Sequence, residues 1–356
     1  MDRLTALSVR IREVLVTLPM ASEQWMPETW KEMVNATALL ALLSSAVATV
    51  APVVNMTVYR PELSISPSVL PPPGSSSQGE EIIRHIVNLS RSTDWRLVDK
   101  IKFEGDTFEP EGIVRLGDDR YFVSAVDDIN RASGDGFAHM IVFDGKGSRI
   151  ADATITEAGA AEYHNGGIDY DGTFIWATLA QYHPDSTATL VRMRPDTLQP
   201  EPVLCIGDHM GAAVRDVSNG NILTLNWGSR RASIWNLNYK PAVPPAITAP
   251  RAVIKNPSHF TDYQDCKFLG HSQRYGFRPV MLCSGITNLY NTTIGGVALV
   301  GMESMIPLYE VPLSMMSDRG VLVTENPMDV AIVDGRLRLF FLPDERNSTL
   351  YVYEPA

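Results

Sequence analysis

From Ile82 to the C-terminus the apolar residues alternate in short runs, each broken by Gly, Asp or Asn. Long stretches with the period of an amphipathic helix are missing, so the pattern predicts many short strands. The runs recur as a unit. EPEGIVRLGDDRYFVSAVD is followed by HMIVFDGKGSRIADATI, and YHNGGIDYDGTFIWATLAQY by TATLVRMRPDTLQPEPVLCI. HMGAAVRDVSNGNILTLNWG leads into ASIWNLN and RAVIKN, and DYQDCKFLGHSQRYGFRPVMLCSGI into GGVALVGM and IPLYEVPL. The last copy, NPMDVAIVDGRLRLFFLPD, ends in STLYVYE. A spacing of about 45–60 residues, with several strands in each copy, predicts four-stranded propeller blades. The fifth copy is one strand short, whereas WRLVDKIKF at 95–103 has no blade of its own. The expected fold is therefore an all-β, five-bladed β-propeller whose ring is closed by an N-terminal strand, which removes an exposed sheet edge. A sixth blade follows if IVNLS at 86–90 belongs to another copy. A β-sandwich would explain the strands but not the repeated EGI, GGI and GAAV openings.

Upstream of this domain (82–356) lies a Pro- and Ser-rich stretch, Pro61 to Glu80, so residues 49–81 read as an extended linker. Ala36 to Val54 is uncharged and apolar, and Ala46-Val47-Ala48 supplies the small residues that signal peptidase needs. Residues 33–48 are accordingly expected to be a signal peptide, with 1–32 a misplaced gene start. A signal anchor, if Met1 is the true start, and a buried helix are the other readings. Four sequons follow the cleavage point, at Asn55, Asn88, Asn291 and Asn347. Together they predict a glycoprotein of the secretory pathway or the extracellular space, with no stable membrane insertion after cleavage. In such an oxidising compartment Cys266 and Cys283, facing each other across a hairpin, are expected either to pair or to remain two buried thiols.

A formal charge of −11 and a pI near 5.1 disfavour nucleic acid or an anionic membrane surface as partner. In a propeller the innermost strands converge on a channel, so polar residues just before each of them become candidates. In register these are Glu109 and Glu111, then Tyr163, His164 and Asn165, then Asp208 and His209. The fourth and fifth copies add Asp262, Tyr263, Gln264 and Asp265, then Glu325 and Asn326. Tyr182, Asn226, Trp227 and Arg230 follow the second strands. His164, His209, Gln264 and Asp265 are the expected catalytic set. Glu111, Asn165, Tyr182, Asn226, Trp227, Arg230, Tyr263 and Asn326 are the expected substrate contacts. Glu111, Asn165, Asp265 and Asn326 offer oxygen ligands, but neither HExxH nor CxxC occurs, so neither metal nor cofactor is expected. GxSxG is also missing, which argues against a covalent hydrolase.

The strings EYHNGGIDYDG (162–172), TLNWGSR (224–230) and DYQDCKFLG (262–270) resemble a family of secreted fungal propeller proteins, from about Trp95 to the end. That group is associated with the glycosylated hetero-Diels–Alderases of tropolone–sesquiterpenoid biosynthesis. The resemblance implies dehydration of a hydroxymethyl tropolone to an o-quinone methide, which then adds to a humulene-type alkene. Such chemistry needs a proton donor, hydrogen bonds to oxygen and orientation of two partners, one of them an apolar terpene. A lactonase- or glycosidase-like propeller hydrolase, metal-assisted, and a non-catalytic propeller that binds sugar or protein are the alternative readings.

Overall fold

The computed structural model describes residues 55–238 and 246–356, so the expected extension (1–32) and signal segment (33–48) lie outside the described residues. The described residues begin with β1 (Asn55–Val58), two short helices, α1 (Gly74–Ser77) and α2 (Gly79–Ile86), and β2 (Trp95–Lys102). Five antiparallel sheets follow. The first holds β3 (Glu109–Leu116), β4 (Arg120–Asn130), β5 (Asp135–Asp144) and β6 (Arg149–Thr154). The second holds the paired segments β7 (His164–Asn165) and β8 (Asp169–Tyr170), then β9 (Ile175–Ala180), β10 (Ala188–Met193) and β11 (Pro200–Ile206). The third holds β12 (Met210–Arg215), β13 (Asn221–Asn226), β14 (Arg231–Asn236) and β15 (Ala252–Lys255). The fourth holds β16 (Asp262–Ser272), β17 (Arg278–Leu289), β18 (Thr292–Gly301) and β19 (Pro307–Leu313). The last holds β20 (Met328–Val333), β21 (Arg336–Phe341) and β22 (Thr349–Pro355).

These sheets form a five-bladed β-propeller, and β2 closes the ring by pairing with β22 from Trp95↔Pro355 to Lys102↔Thr349. Arg96 and Arg338 reinforce that seam by donating to the buried Glu354 carboxylate, each at 2.7 Å. Burial is deepest in the second strands and falls toward the outermost. β9 and β13 are buried at every residue, whereas β15 and β2 show exposed positions throughout. Inner strands face a neighbouring blade on both sides and so carry near-continuous apolar runs; outer strands alternate.

Two positions show why the repeat openings carry glycine. A Cβ on Gly112 would lie 2.6 Å from the Ile168 nitrogen, and one on Gly166 would lie 2.0 Å from the Gly211 oxygen. Neighbouring innermost strands approach so closely here that only a residue without a side chain fits. Inter-blade packing is apolar: Val114, Phe122 and Met140 of the first blade meet Ile168, Ile175 and Val191 of the second. Cys266 and Cys283 are directly opposite in the β16–β17 ladder and form a disulfide; Cys205 is a free thiol.

Residues 55–81 differ from the expected linker. β1 pairs with β6 as a fifth strand on the first blade. The chain then crosses the face where the innermost strands end. The Arg120 guanidinium donates to the Ser64 carbonyl, and the Tyr170 hydroxyl donates to the Pro71 carbonyl at 3.0 Å. Gln78 imitates a strand neighbour, donating to the Ile332 carbonyl at 3.0 Å and accepting from its N–H at 2.8 Å. Polar composition hid this strap because its hydrogen bonds, rather than apolar bulk, fasten most of it. The IVNLS segment builds no sixth blade. Ile82, Ile83 and Ile86 fall on one face of α2, with Glu80 and Glu81 in its first turn and Arg84 and His85 in its last. That spacing and charge order suit a helix, and its apolar face is buried with Leu269, Val280 and Val330.

The contribution of the α2 face is measurable. Ile83→Ala should cost about 2–5 kcal/mol in urea unfolding, the range for truncating a buried aliphatic side chain. Val69→Ala, at a position 81% exposed, should leave the midpoint unchanged. Equal midpoints for the two variants would contradict the packing.

Candidate functional site

A cavity of about 320 Å³ opens at the end of the channel where the innermost strands begin. A local irregularity aims side chains into it. The ladders of β3, β12 and β16 each skip one residue at equivalent positions, between Pro110 and Gly112, Met210 and Ala212, and Tyr263 and Asp265. The skipped residues are Glu111, Gly211 and Gln264, and all three line the cavity. A bulge turns one side chain out of the alternation without disturbing the rest of the strand.

Glu111, His164, Tyr182 and His209 form one wall, and Asn226, Trp227, Tyr263, Gln264 and Asn326 continue around the mouth. The His164 and His209 rings are 5.1 Å apart; Tyr182 lies 4.4 Å from His164, and Trp227 meets His209 edge-on at 4.8 Å. The Tyr182 hydroxyl donates to Glu109 Oε1 at 2.6 Å. His209 Nδ1 lies 2.8 Å from the Gln181 carbonyl, which can only accept, so Nδ1 carries the proton and Nε2 is the basic nitrogen.

Three expected residues sit elsewhere. Asn165 is buried and donates to the His139 carbonyl at 2.7 Å, tying two blades together. Asp265, one residue beyond the bulge, faces the axis and pairs with Lys267 at 2.7 Å. Arg230 lies behind the rim, paired with Asp262 at 2.6 Å and bonded to the Ser258 carbonyl at 2.9 Å. Conversely, Glu109 and Glu325 line the cavity at positions that the repeat register marks but that carried no assignment, together with Asp262. Arg131 and Glu345 also line it; they sit on hairpin turns, where the repeats give no register.

The electrostatics are unusual for a contact between a histidine and a carboxyl group. Glu111 Oε1 lies 3.4 Å from His164 Nε2. Burial pushes the Glu111 carboxyl up to about 8 and the His164 imidazole down to about 4. At neutral pH the pair is thus a carboxylic acid beside a neutral imidazole, rather than an ion pair. Burial, then the nearby His164, lowers His209 to about 4 as well. Burial, then repulsion from Glu111, raises Glu109 to about 7. Burial and the same two carboxylates drive the Tyr182 phenol far upward, leaving it a hydrogen-bond donor. The site therefore holds a proton donor and two proton acceptors within one small cavity. Among the described residues no group of three or more His, Cys, Asp or Glu side chains is arranged to hold a metal ion.

A ring of five blades around a pocket with this acid–base wall defines the class: a five-bladed β-propeller with a small-molecule-sized polar cavity at one mouth. Residues 68–356 match the profile of a family of unknown function, DUF6454, and the chain belongs to that family. No curated protein sequence matches it significantly. Similar solved structures include an exo-β-1,3-galactanase from Phanerochaete chrysosporium determined with β-1,3-galactotriose. It is 12% identical, with a TM-score of 0.43, over 74% of this chain and 64% of that one. A DUF4623 family protein from Bacteroides eggerthii is 10% identical, with a TM-score of 0.41, over 71% and 59%. The tail fibre of a Staphylococcus aureus phage is 8% identical, with a TM-score of 0.44, over 77% and 55%. The chain spans between 55% and 64% of the length of these three structures.

The inverted protonation has a consequence for stability. A carboxyl whose folded pKa of about 8 exceeds its ordinary 4.5 stays protonated in the fold while the unfolded chain releases its proton. Stability is thus lost as pH rises from about 4.5 to about 8. Glu111→Gln, a neutral mimic of the acid, should flatten the decline in melting temperature between about pH 4.5 and about pH 8. A decline as steep as in the parent would place the proton elsewhere.

Proposed function

We propose that this protein is a secretory-pathway enzyme that promotes loss of water from a small oxygenated molecule by acid–base catalysis and then holds the product against an apolar partner. The single observation that carries this reading is the Glu111–His164 contact, an acid kept protonated beside a neutral base. In the reaction implied by the resemblance, Glu111 gives its proton to the leaving hydroxyl of a hydroxymethyl tropolone as the C–O bond breaks. His209 Nε2 takes the ring hydroxyl proton, and a neutral o-quinone methide and water result. Solvent returns a proton from His209 to Glu111. The following hetero-Diels–Alder step forms one C–C and one C–O bond with no proton transfer, so it needs orientation alone. Leu225, Trp227 and Ile286 give the cavity an apolar flank for a humulene-type alkene.

Charge supports an uncharged substrate. Arg131 is the only cationic side chain among the lining residues, and it is engaged by Asp128 at 2.7 Å and Glu109 at 3.3 Å. A second reading, a glycosidase-like hydrolase, draws on the several carboxyl groups around the cavity, Glu109, Glu111 and Glu325 among them.

Purified protein given a hydroxymethyl tropolone and humulene should form the adduct. His209→Ala and Glu111→Gln should each lower turnover by about 10²–10⁴-fold, the scale of general acid–base assistance. Trp227→Ala should mainly raise KM. Adduct formation no faster than without protein would overturn the dehydratase reading, and Glu111-dependent cleavage of aryl glycosides would establish the hydrolytic one. Retention of glycans without turnover of either kind would make the protein a binding module.

Asn55, Asn88, Asn291 and Asn347 are all exposed, as sugar attachment requires. Protein recovered from the culture medium should lose mass on endoglycosidase treatment, and an unchanged mass would count against passage through the secretory pathway.

A further inference from the structure

Arg131 was not expected in the site, and its surroundings are more ordered than those of an ordinary surface cation. It opens a 3-10 turn, Arg131–Ser133, that closes the β4–β5 hairpin and ends at Gly134, whose φ of 68° lies in the left-handed region. Its side chain is half-exposed, yet three partners hold it. The guanidinium carbon lies 3.7 Å from the centre of the Tyr182 ring; Nε lies 2.7 Å from Asp128 Oδ2, and Nη2 3.3 Å from Glu109 Oε2. The other Glu109 oxygen accepts from the Tyr182 hydroxyl at 2.6 Å. Arg131, Glu109 and Tyr182 thus form a closed circuit in which each member fixes the other two. Asp128 is held in turn by the Tyr163 hydroxyl at 3.3 Å. A planar guanidinium suits this corner because it stacks on the ring and donates in its own plane, which an ammonium cannot do.

We propose that Arg131 is a positioning residue of the site: a built-in cation that holds Tyr182 and Glu109 at the mouth and sets the field acting on Glu111 and His164. Tyr182 is the wall against which His164 rests, so releasing Arg131 loosens the imidazole that faces Glu111 as well as removing a charge. The groups facing His164 are Glu109 and Glu111 on β3, Asp128 and Arg131 on the β4–β5 hairpin, Tyr182 after β9, and His209 before β12. Within that set Arg131 favours ionised carboxylates and disfavours an imidazolium. Its loss therefore raises the proton affinity of both Glu111 and His164. The catalytic part of this inference rests on the dehydratase reading; the electrostatic part does not.

The test is titration of the His164 imidazole and the Glu111 carboxyl by NMR in the parent, Arg131→Ala, Arg131→Lys and Arg131→Ala with added methylguanidinium. Both midpoints should shift upward in Arg131→Ala, from about 4 and about 8. Methylguanidinium should return them by refilling the corner, and Arg131→Lys, with charge but no planar stack, should recover part of the shift. With substrate, Arg131→Ala should lower kcat more than it raises KM, and methylguanidinium should restore kcat. Unmoved midpoints in a folded Arg131→Ala protein would overturn the proposal. Should that variant not fold, Arg131→Gln makes the same comparison. Shifted midpoints in a protein with no dehydratase activity would sustain the electrostatic role while refuting the reaction.

Discussion

Closing five sheets around an axis leaves each innermost strand with one edge that has no strand beside it. Its N–H groups point into a channel too narrow for another chain, and each buried donor left unpaired costs about 1–3 kcal/mol. Side-chain carboxylates take the missing strand's place. Asp169 accepts from the Arg215 N–H at 3.0 Å and the Phe268 N–H at 3.3 Å, Asp329 from the Arg115 N–H at 2.6 Å, and Asp265 from the Ile113 N–H at 3.2 Å. Each of these bonds joins different blades. Lys267 stands among them, donating to both Asp265 oxygens at 2.7 Å and to the Ile168 carbonyl at 2.6 Å. Burial raises Asp169 to about 7 and Asp265 to about 6, against the opposing pull of Lys267 and the backbone N–H groups. Blade orientation, the glycine contacts and the strap all depend on this axial network being satisfied.

The network also determines where chemistry can occur. Halfway down the channel the carboxylates of Asp169, Asp265 and Asp329 are each engaged by backbone N–H groups of other blades. At the mouth the bulges leave side chains turned inward with weaker engagement: Glu111 meets His164 at 3.4 Å and the Tyr182 hydroxyl, and His164 Nδ1 is buried without a hydrogen-bond partner. The fold thus separates the carboxylates that join the blades from those that line the cavity along a single axis. Asp265 and Gln264 show how sharp the division is, since adjacent residues serve the two purposes.

That division explains what could be read from the residues and what could not. Blade number and ring closure were legible because both are written as repeats of strand length and apolar runs. The mouth was legible through His164, His209, Glu111 and Gln264 because the polar residues before each innermost strand recur in register. Asp265 lies away from the cavity because a one-residue irregularity reverses which face a side chain meets, and composition does not reveal such a bulge. Arg131 and Glu345 lie on hairpin turns outside the repeat. The strap escaped because prolines and serines that bond through their carbonyls look like solvated chain.

The buried Asp265–Lys267 pair and the strap together turn the channel into a blind well. With that pair across the channel, arrival at the mouth and departure from it share one doorway. For a reaction that joins two molecules this imposes a queue. On the dehydratase reading, the partner seated against Glu111 and His164 would enter first, the second would settle above it near Trp227, and the joined product would have to clear the same opening before another cycle. Turnover in such a vessel would be paced by emptying as much as by bond making, and a bulky product would become its own inhibitor.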